Sequence, residues 1–450
     1  MEKLKLSEIA AACNGTYNTD CEINGVCIDT RKITKGCLFI CIKGERFDAH
    51  QFAAEALEKG AAAVMIHQKT DVDGSFVMVD DTSKALLALG GYYRSKFELN
   101  LVGLTGSVGK TTTKEFVYLV LNEKFKTVKT LGNLNNEIGL PQMLFHLDSS
   151  TQAAVIEMGM NHFGEIHRLT AAAKPTIALI TNIGTSHIEN LGSRQGILKA
   201  KLEILDGLEK GSTLILNGDN DLLKEVKNDD YNILFFGVEN GDFKAKNISS
   251  SENETSFDVE YFGKTQRLVI PTIGIHNVYN ALAAFAVGYC LGIEPEKCAD
   301  GLKKYTPEGM RQKSVVKNGV TFIEDCYNAS PDSMRAAVNT LAGITANRRI
   351  AVFSDMLELG DYSETAHREV GRMTAEAGID YLLTVGDMSR FTALEAKECK
   401  MENVFHFDTK QELTEKLLEI IKAGDAVIFK ASRGMKLEDV IHSLYDRWGK

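Results

Sequence analysis

The run Leu101-Val-Gly-Leu-Thr-Gly-Ser-Val-Gly-Lys-Thr-Thr112 constrains this chain more than any other feature. An apolar strand enters a glycine-rich turn, and Lys110 and Thr111 open a stretch of helical character. Strand, tight turn and helix in that order belong to a parallel α/β sheet whose ligand crevice lies at the carboxyl ends of its strands. Glycines let backbone N–H groups curl round an anion, and the helix N-terminus adds partial positive charge. Lys110 is placed to reach the outer phosphates of a nucleotide, and the Thr111 hydroxyl to hold Mg²⁺. Thr105, Gly106, Ser107, Val108, Gly109 and Thr112 complete the expected cradle. The full phosphate-loop pattern asks for glycine where Leu104 stands, but Gly106-x-x-Gly109-Lys110-Thr111 is intact. ATP or GTP is the expected ligand; a tight βα turn with a surface lysine is the blander alternative.

A length of 450 residues suits about three domains at ~150 residues each. The net charge of −10 and the lack of a long basic run argue against a nucleic-acid partner. Polyanionic substrates must then be held by local cations and helix ends. The opening Met1-Glu-Lys-Leu-Lys-Leu-Ser-Glu8 lacks the apolar stretch of a signal peptide, and no apolar run reaches the ~18 residues of a membrane span. The nine cysteines form no Cys-x-x-Cys pair, so they read as reduced thiols in a cytoplasmic protein, with Cys37 and Cys41 on one strand.

Apolar runs alternate with helical stretches along three units. Residues 1–98 form a small α/β unit, with strands at Gly36–Ile42, Ala62–Ile66 and Phe76–Val79. A helix over Phe52–Lys59 ends at Gly60, and another runs from Thr82, its possible N-cap, to Phe97. Residues 99–312 begin with the phosphate loop and continue with buried strands at Ala153–Ile156, Thr176–Ile180 and Thr213–Leu216. Alternation in Ser256–Phe262 adds a small antiparallel part. Residues 313–450 form a second doubly wound unit, with strands at Val320–Ile323, Ile350–Phe353, Tyr381–Val385 and Ala426–Phe429.

Several side chains at strand ends carry the chemistry. Glu157 ends an apolar strand, where a carboxylate enters the ligand crevice and suits Mg²⁺; a solvent-facing acid is the alternative. His187 follows another strand; imidazole is a poor ligand for a hard cation, so a hydrogen-bonding loop residue is the reading from chemistry alone. Lys201 reads first as a solvated helix lysine. Beside metals it would lose its proton and add CO₂ to give a carbamate, an anionic oxygen ligand. Asn277 and Asn280 share a helical face, suited to reading a base edge or to capping a helix. The Asp325–Met334 block and Lys430-Ala-Ser-Arg433 both follow strands, and the two cations suit carboxylate or phosphate.

Together these pieces resemble the Mur ligases, the ATP-dependent amide ligases of bacterial cell-wall precursor synthesis. The resemblance covers nearly the whole chain. It is carried by Asp29-Thr-Arg31, Lys43-Gly-Glu-Arg-Phe-Asp48, Thr105–Thr111, Gly132-Asn-Leu-Asn-Asn-Glu-Ile-Gly139, Glu157-Met-Gly159, His187, Lys201 and Gly274–Asn280. Lys430–Arg433 adds to it, and Asp325-Cys-Tyr-Asn-Ala-Ser-Pro-Asp-Ser-Met334 and Asp355-Met-Leu-Glu-Leu-Gly360 are its most specific carriers. They point to the branch that joins D-alanyl-D-alanine to UDP-N-acetylmuramoyl tripeptide.

The resemblance implies three α/β domains: a small UDP-sugar-binding domain, a central ATPase-like parallel sheet, and a Rossmann-like domain that closes over ATP. It implies that Lys110 contacts the β- and γ-phosphates. Thr111, Glu157, His187 and Lys201, the last as a carbamate, would serve two magnesium ions. Asn277 and Asn280 match adenine contacts, and Arg311 and Asp325 match positions near ribose and phosphates. Thr30, Arg31 and Lys43 match the UDP-sugar site. Asn133, Asn136, Asn328, Lys430 and Arg433 match substrate positions. A monomer with open and closed forms, hinged near both domain boundaries, is the expected state. Asp48-Ala-His50, Lys430-Ala-Ser-Arg433 and Ser107-Val108 depart from the commoner family strings without removing a reactive side chain. Another amino-acid ligase of the same superfamily, such as the third-residue-adding ligase or a folylpolyglutamate synthetase, is the second reading. A nucleotide-switch protein is the third, and it lacks an Asn-Lys-x-Asp string.

Overall fold

The computed structural model describes residues 1–45, 47–251, 254–307 and 309–448. Arg46, part of the Lys43–Asp48 run, lies outside the described residues. Three large sheets follow one another along the chain, and a two-stranded antiparallel ribbon, Leu4–Lys5 with Glu22–Ile23, adjoins the first. The first orders its strands as Thr16–Tyr17, Ser75–Met78, Ala63–Ile66, Cys37–Ile40 and Gly25–Cys27, parallel except for the first pair.

The second sheet has nine strands, and β1 (Asn100–Thr105), the phosphate-loop strand, is third from one edge. It is flanked by β2 (Ala153–Glu157) and β3 (Ile177–Ile180), both parallel to it. Every residue of β2 and β3 is buried, which explains their unbroken apolar sequence: helices cover both faces. The chain leaves β1 to opposite sides to build these neighbours, so the carboxyl end of β1 is a topological switch point. Glu157 pairs with Leu104, and Thr105 with Ile180, which brings three loops to one edge. The strands Phe243–Ser250, Thr255–Tyr261 and Lys264–Ile270 supply the expected antiparallel part and extend this sheet.

Two helices cover the face of the central sheet next to the site. Helix α1 (Lys110–Leu121) starts at the phosphate loop, and α2 (Ile275–Cys290) lies against it. From Val278 to Gly288, α2 is buried at every residue but Tyr279, as its Ala-rich sequence allows. Burying Leu282 and Phe285 contributes about 1.5–3 kcal/mol each and fixes Asn277 and Asn280 beside the loop.

The third sheet orders its strands as Lys313–Lys317, β4 (Val320–Asp325), Asp425–Lys430, Arg348–Ser354, Tyr381–Val385 and Val404–Phe407. Asp325 pairs with Lys430 at the carboxyl edge. Only the first strand runs antiparallel.

Several local expectations need correction. Asp81, not Thr82, caps the helix Thr82–Arg94, accepting from the N–H groups of Ser83 and Lys84. Thr82 turns its hydroxyl to the Cys41 carbonyl instead. The helix expected over Phe52–Lys59 is a 3-10 turn over Ala49–Phe52 followed by Ala53–Glu58. Cys41 lies just past the strand Cys37–Ile40. The strands Thr127–Lys129, Lys313–Lys317 and Val404–Phe407 carry weaker apolar patterns and lie outside the sequence reading, as does Asn232–Gly237 despite its apolar run. All nine cysteines are free, and no helix among the described residues is long and apolar enough to cross a membrane.

Candidate active site

Gly106 and Gly109 adopt φ +155° and +81°. A Cβ on Gly106 would collide with the Thr181 hydroxyl, and one on Gly109 would lie 2.7 Å from Asn280 Oδ1, so both positions demand glycine. Lys110 Nζ folds over the loop and donates to the carbonyls of Gly106 at 2.8 Å and Ser107 at 3.4 Å. Burial lowers its pKa, opposed by the Glu157 carboxylate. Thr105 is buried and donates its hydroxyl to the Met158 carbonyl at 2.9 Å, so its side chain serves the sheet.

Glu157 is 2% exposed and held by both oxygens. Thr111 Oγ1 donates to Oε2 at 3.1 Å, and Asn135 Nδ2 donates to Oε1 at 2.9 Å. Asn135 escaped sequence reasoning, which chose Asn133 and Asn136 from the same run. Asn133 and Asn136 both line the cavity, but Asn136 Oδ1 also accepts from the N–H groups of Ile138 and Gly139 at the start of helix Gly139–Leu144. Three asparagines within four positions offer no signal of which one turns inward; the path of the loop decides it.

Lys201 lies in the last turn of helix Arg194–Leu202 and is 2% exposed. Among the described residues its ammonium has no hydrogen-bond or ion-pair partner. Burial, with the Lys110 charge adding to it, pushes its pKa well below the ordinary lysine value. The solvated-lysine reading therefore fails on burial. His187 lines the cavity with φ +63°. Its Nδ1 is buried 2.8 Å from Glu358 Oε2, outside the alignment of a hydrogen bond. The histidine lowers the Glu358 pKa.

Asn277 and Asn280 are buried in the cavity wall and joined to each other, Asn280 Nδ2 donating to Asn277 Oδ1 at 3.2 Å. Thr113 of α1 donates to Asn280 Oδ1 at 3.0 Å, and Asn277 Nδ2 donates to Gln312 Oε1 at 3.1 Å. Gly274 holds the N-cap position of α2, so neither asparagine caps the helix.

The third sheet closes the cavity. Lys430 is buried and donates to Asp325 Oδ2 at 2.6 Å and to the Asn328 carbonyl at 3.1 Å. The Arg311 guanidinium lies 3.8 Å from the Tyr327 ring centre. The space enclosed is about 450 Å³, within the range of small-molecule sites, and Lys110, Glu157, His187, Asn280, Asp325 and Lys430 all face it. Arg433 is not part of its wall; its side chain is 60% exposed and pairs with Glu438 at 2.6 Å. Thr30 and Arg31, in the 3-10 turn Thr30–Lys32, and Lys43, just past the strand Cys37–Ile40, stand apart from the cavity in the first unit, Arg31 pairing with Asp29 at 2.8 Å and Lys43 with Asp48 at 3.7 Å.

The donor set fits Mg²⁺. Glu157 and Thr111 offer oxygen at the end of the phosphate loop, and no group of three or more His, Cys, Asp or Glu side chains gathers among the described residues. Such an arrangement leaves coordination positions for phosphate oxygens and water, as Mg²⁺ requires.

Three family models match in order along the chain: "Mur ligase family, catalytic domain" over 22–90, "Mur ligase middle domain" over 104–288, and "Mur ligase, glutamate ligase domain" over 310–433. The UDP-N-acetylmuramoyl-tripeptide--D-alanyl-D-alanine ligase of Bacillus subtilis is 40% identical, over 99% of each chain. Its Escherichia coli counterpart is 36% identical, again over 99% of each. A crystal structure of MurF from Acinetobacter baumannii superposes with a TM-score of 0.94 at 33% identity, covering 99% of this chain and 100% of that one. A Thermotoga maritima MurF ligase in complex with ADP gives 0.86 at 28% identity, over 94% and 97%. With its phosphate loop, strand-end carboxylate and third sheet converging on one cavity, the chain belongs to the Mur ligase family.

Proposed function

We propose that this ligase joins D-alanyl-D-alanine to UDP-N-acetylmuramoyl tripeptide with ATP, giving the pentapeptide precursor, ADP and phosphate. The observation that carries this reading is the shared cavity: the phosphate loop and Glu157 of the central sheet face Asp325, Asn328 and Lys430 of the third. Full-length similarity to ligases of that name supports it.

A carboxylate resists attack by an amine because oxide is a very poor leaving group. Transfer of the γ-phosphoryl group to the tripeptide's terminal carboxylate breaks the bond to ADP and gives an acyl phosphate. The dipeptide amine then attacks the acyl carbon, phosphate departs and the nitrogen loses a proton. Lys110 is assigned to the β- and γ-phosphates, and the N–H groups of Ser107–Thr112 to the phosphate cradle. Asn277 and Asn280 are assigned to adenine, and Arg311 and Asp325 to ribose and phosphates. Lys430 holds Asp325 in place.

Thr111, Glu157, His187 and a carbamate on Lys201 would hold two Mg²⁺ ions. The metal would neutralise charge on the transferring phosphoryl group. The unpartnered, deprotonation-prone Lys201 favours carbamate formation, since the neutral amine is the form that adds CO₂.

We assign 1–98 to the UDP-sugar, with Thr30, Arg31 and Lys43, and 99–312 to ATP. We assign 313–450 to closure and the dipeptide, with Asn328 and Arg433 beside it. Asn133 and Asn136 are assigned to the tripeptide end. A cytoplasmic monomer fits these nucleotide substrates. The test is phosphate release with UDP-N-acetylmuramoyl tripeptide, with and without D-alanyl-D-alanine, while mass spectrometry follows the amide product. Turnover that needs both acceptors supports the reading; none with either a lysine or a diaminopimelate tripeptide, from protein that binds ATP, refutes it.

A further inference from the structure

The block Asp355-Met-Leu-Glu-Leu-Gly360 has no part in the chemistry assigned above. Asp355 is committed to its own domain. Its Oδ1 accepts from the N–H groups of Met388 at 3.2 Å and Ser389 at 2.7 Å, and its carbonyl accepts from Ser432 at 3.1 Å. Those bonds fix the loop at the carboxyl edge of the third sheet and present Glu358 outward, its side chain 59% exposed.

Glu358 has φ +63°, and so does His187 of the central domain, which it faces. Non-glycine residues seldom hold that conformation, and here two of them meet across a domain boundary. Glu358 Oε2 lies 2.8 Å from His187 Nδ1. Two neighbouring contacts hold the same loop. Asp332 Oδ2 accepts from the Thr185 N–H at 3.0 Å, and Gly360 packs against the Glu189 side chain. The loop in turn touches the phosphate cradle, the Gly184 N–H donating to Ser107 Oγ at 2.9 Å.

The two ring nitrogens of His187 differ. Nδ1 is buried on the Glu358 side, while the ring lines the cavity, and Nε2 has no protein partner among the described residues. A carboxylate at one imidazole nitrogen fixes the tautomer and raises the basicity of the other. We propose that Glu358 is a positioning residue for the reaction: closure of the third domain brings its carboxylate to His187 Nδ1, which turns Nε2 to the cavity and strengthens it as a cation ligand. The metal site is thus complete only when the domains are closed. The contact tightens to an aligned hydrogen bond by a turn of the exposed Glu358 side chain. This inference rests on the reading of His187 as a metal ligand.

The test titrates Mn²⁺ into the full chain with a non-hydrolysable ATP analogue, reading free Mn²⁺ by electron paramagnetic resonance. Glu358→Ala weakens Mn²⁺ binding by about 10- to 100-fold. Glu358→Gln retains part of the affinity, because an amide oxygen still accepts from Nδ1–H. Asp332→Ala, which removes a docking contact without touching His187, weakens it far less. In a His187→Ala background, Glu358→Ala adds nothing. Equal losses in Asp332→Ala and Glu358→Ala, or an additive loss in the double variant, overturn the inference. So does unchanged Mn²⁺ affinity in Glu358→Ala where His187→Ala weakens it. Unchanged affinity in His187→Ala itself overturns the ligand reading beneath it.

Discussion

Lys201→Met separates stability from turnover. An unfolded lysine keeps its proton up to the ordinary value of 10.5, whereas the buried Lys201 sheds it well below. Between those two values the unfolded state binds more protons than the folded one, so stability rises with pH through the window and falls toward neutrality. Where the folded lysine is neutral and the unfolded one still protonated, the slope is about 1.4 kcal/mol per pH unit. Methionine occupies a similar volume without the charge, so it escapes this penalty. In CO₂-free buffer the variant is the more stable protein at pH 7.5, and its advantage shrinks as the pH rises to 9.5. Urea titrations of both proteins, followed by circular dichroism, read the difference, with shared ionisations cancelling. Added bicarbonate stabilises the parent at pH 7.5 and leaves the variant unchanged, because only lysine forms a carbamate. Ligase turnover is lost in the variant under both conditions. A variant less stable at pH 7.5 by an amount unchanged at pH 9.5 would refute the claim that an unpartnered ammonium is buried there.

Glu157→Gln keeps the hydrogen-bonding shape around Thr111 and Asn135 but removes the anion; turnover drops at least ~100-fold and the Mg²⁺ needed for half-maximal rate rises, both read by phosphate release. Gly184→Ala places a methyl group against Asp332 Oδ2 and Ser107; kcat falls about tenfold or more with circular dichroism unchanged, and full activity would show that the loop is not gripped there. Lys430→Met strands the Asp325 carboxylate beside a nearly buried site, destabilising the third domain by about 3–5 kcal/mol. Trp448, the single tryptophan, packs on Phe322 in that domain, so its fluorescence in a urea titration reports the change directly.

The phosphate loop and the sheets around it were legible because local sequence specifies them. Gly106 and Gly109 sit at backbone angles that exclude side chains, and β2 and β3 are apolar because both faces are covered. The short strands Thr127–Lys129 and Val404–Phe407 were not, since partly exposed edges carry no continuous apolar signal. The site follows the same division. Glu157 announces itself at the end of an apolar strand. Lys201 looks like any helix lysine until burial removes its water. Asn135 is indistinguishable from its neighbours, and the partner of His187 lies 171 positions along the chain, at Glu358. Contacts between domains leave no periodicity in either partner.

The two domain boundaries also differ in kind. At the first, the helix Thr82–Arg94 is welded to the central domain: Tyr93 donates to the Leu147 carbonyl at 2.8 Å, and buried Arg94 donates to the Ala173 carbonyl at 3.0 Å. One apolar core runs through both units, from Ile40 and Leu86 to Leu169 and Ile180. At the second, the third domain meets the central one largely through polar contacts: Asp332 with Thr185, and Glu358 with His187. Apolar interfaces resist opening because separation exposes surface to water, whereas exposed ion pairs exchange readily with solvent. We therefore place the closing motion at the boundary near 312, where Gln312 itself holds φ +53°. A motion there carries Asp325, Asn328 and Glu358 together, so one displacement shuts the cavity against water and sets the orientation of His187.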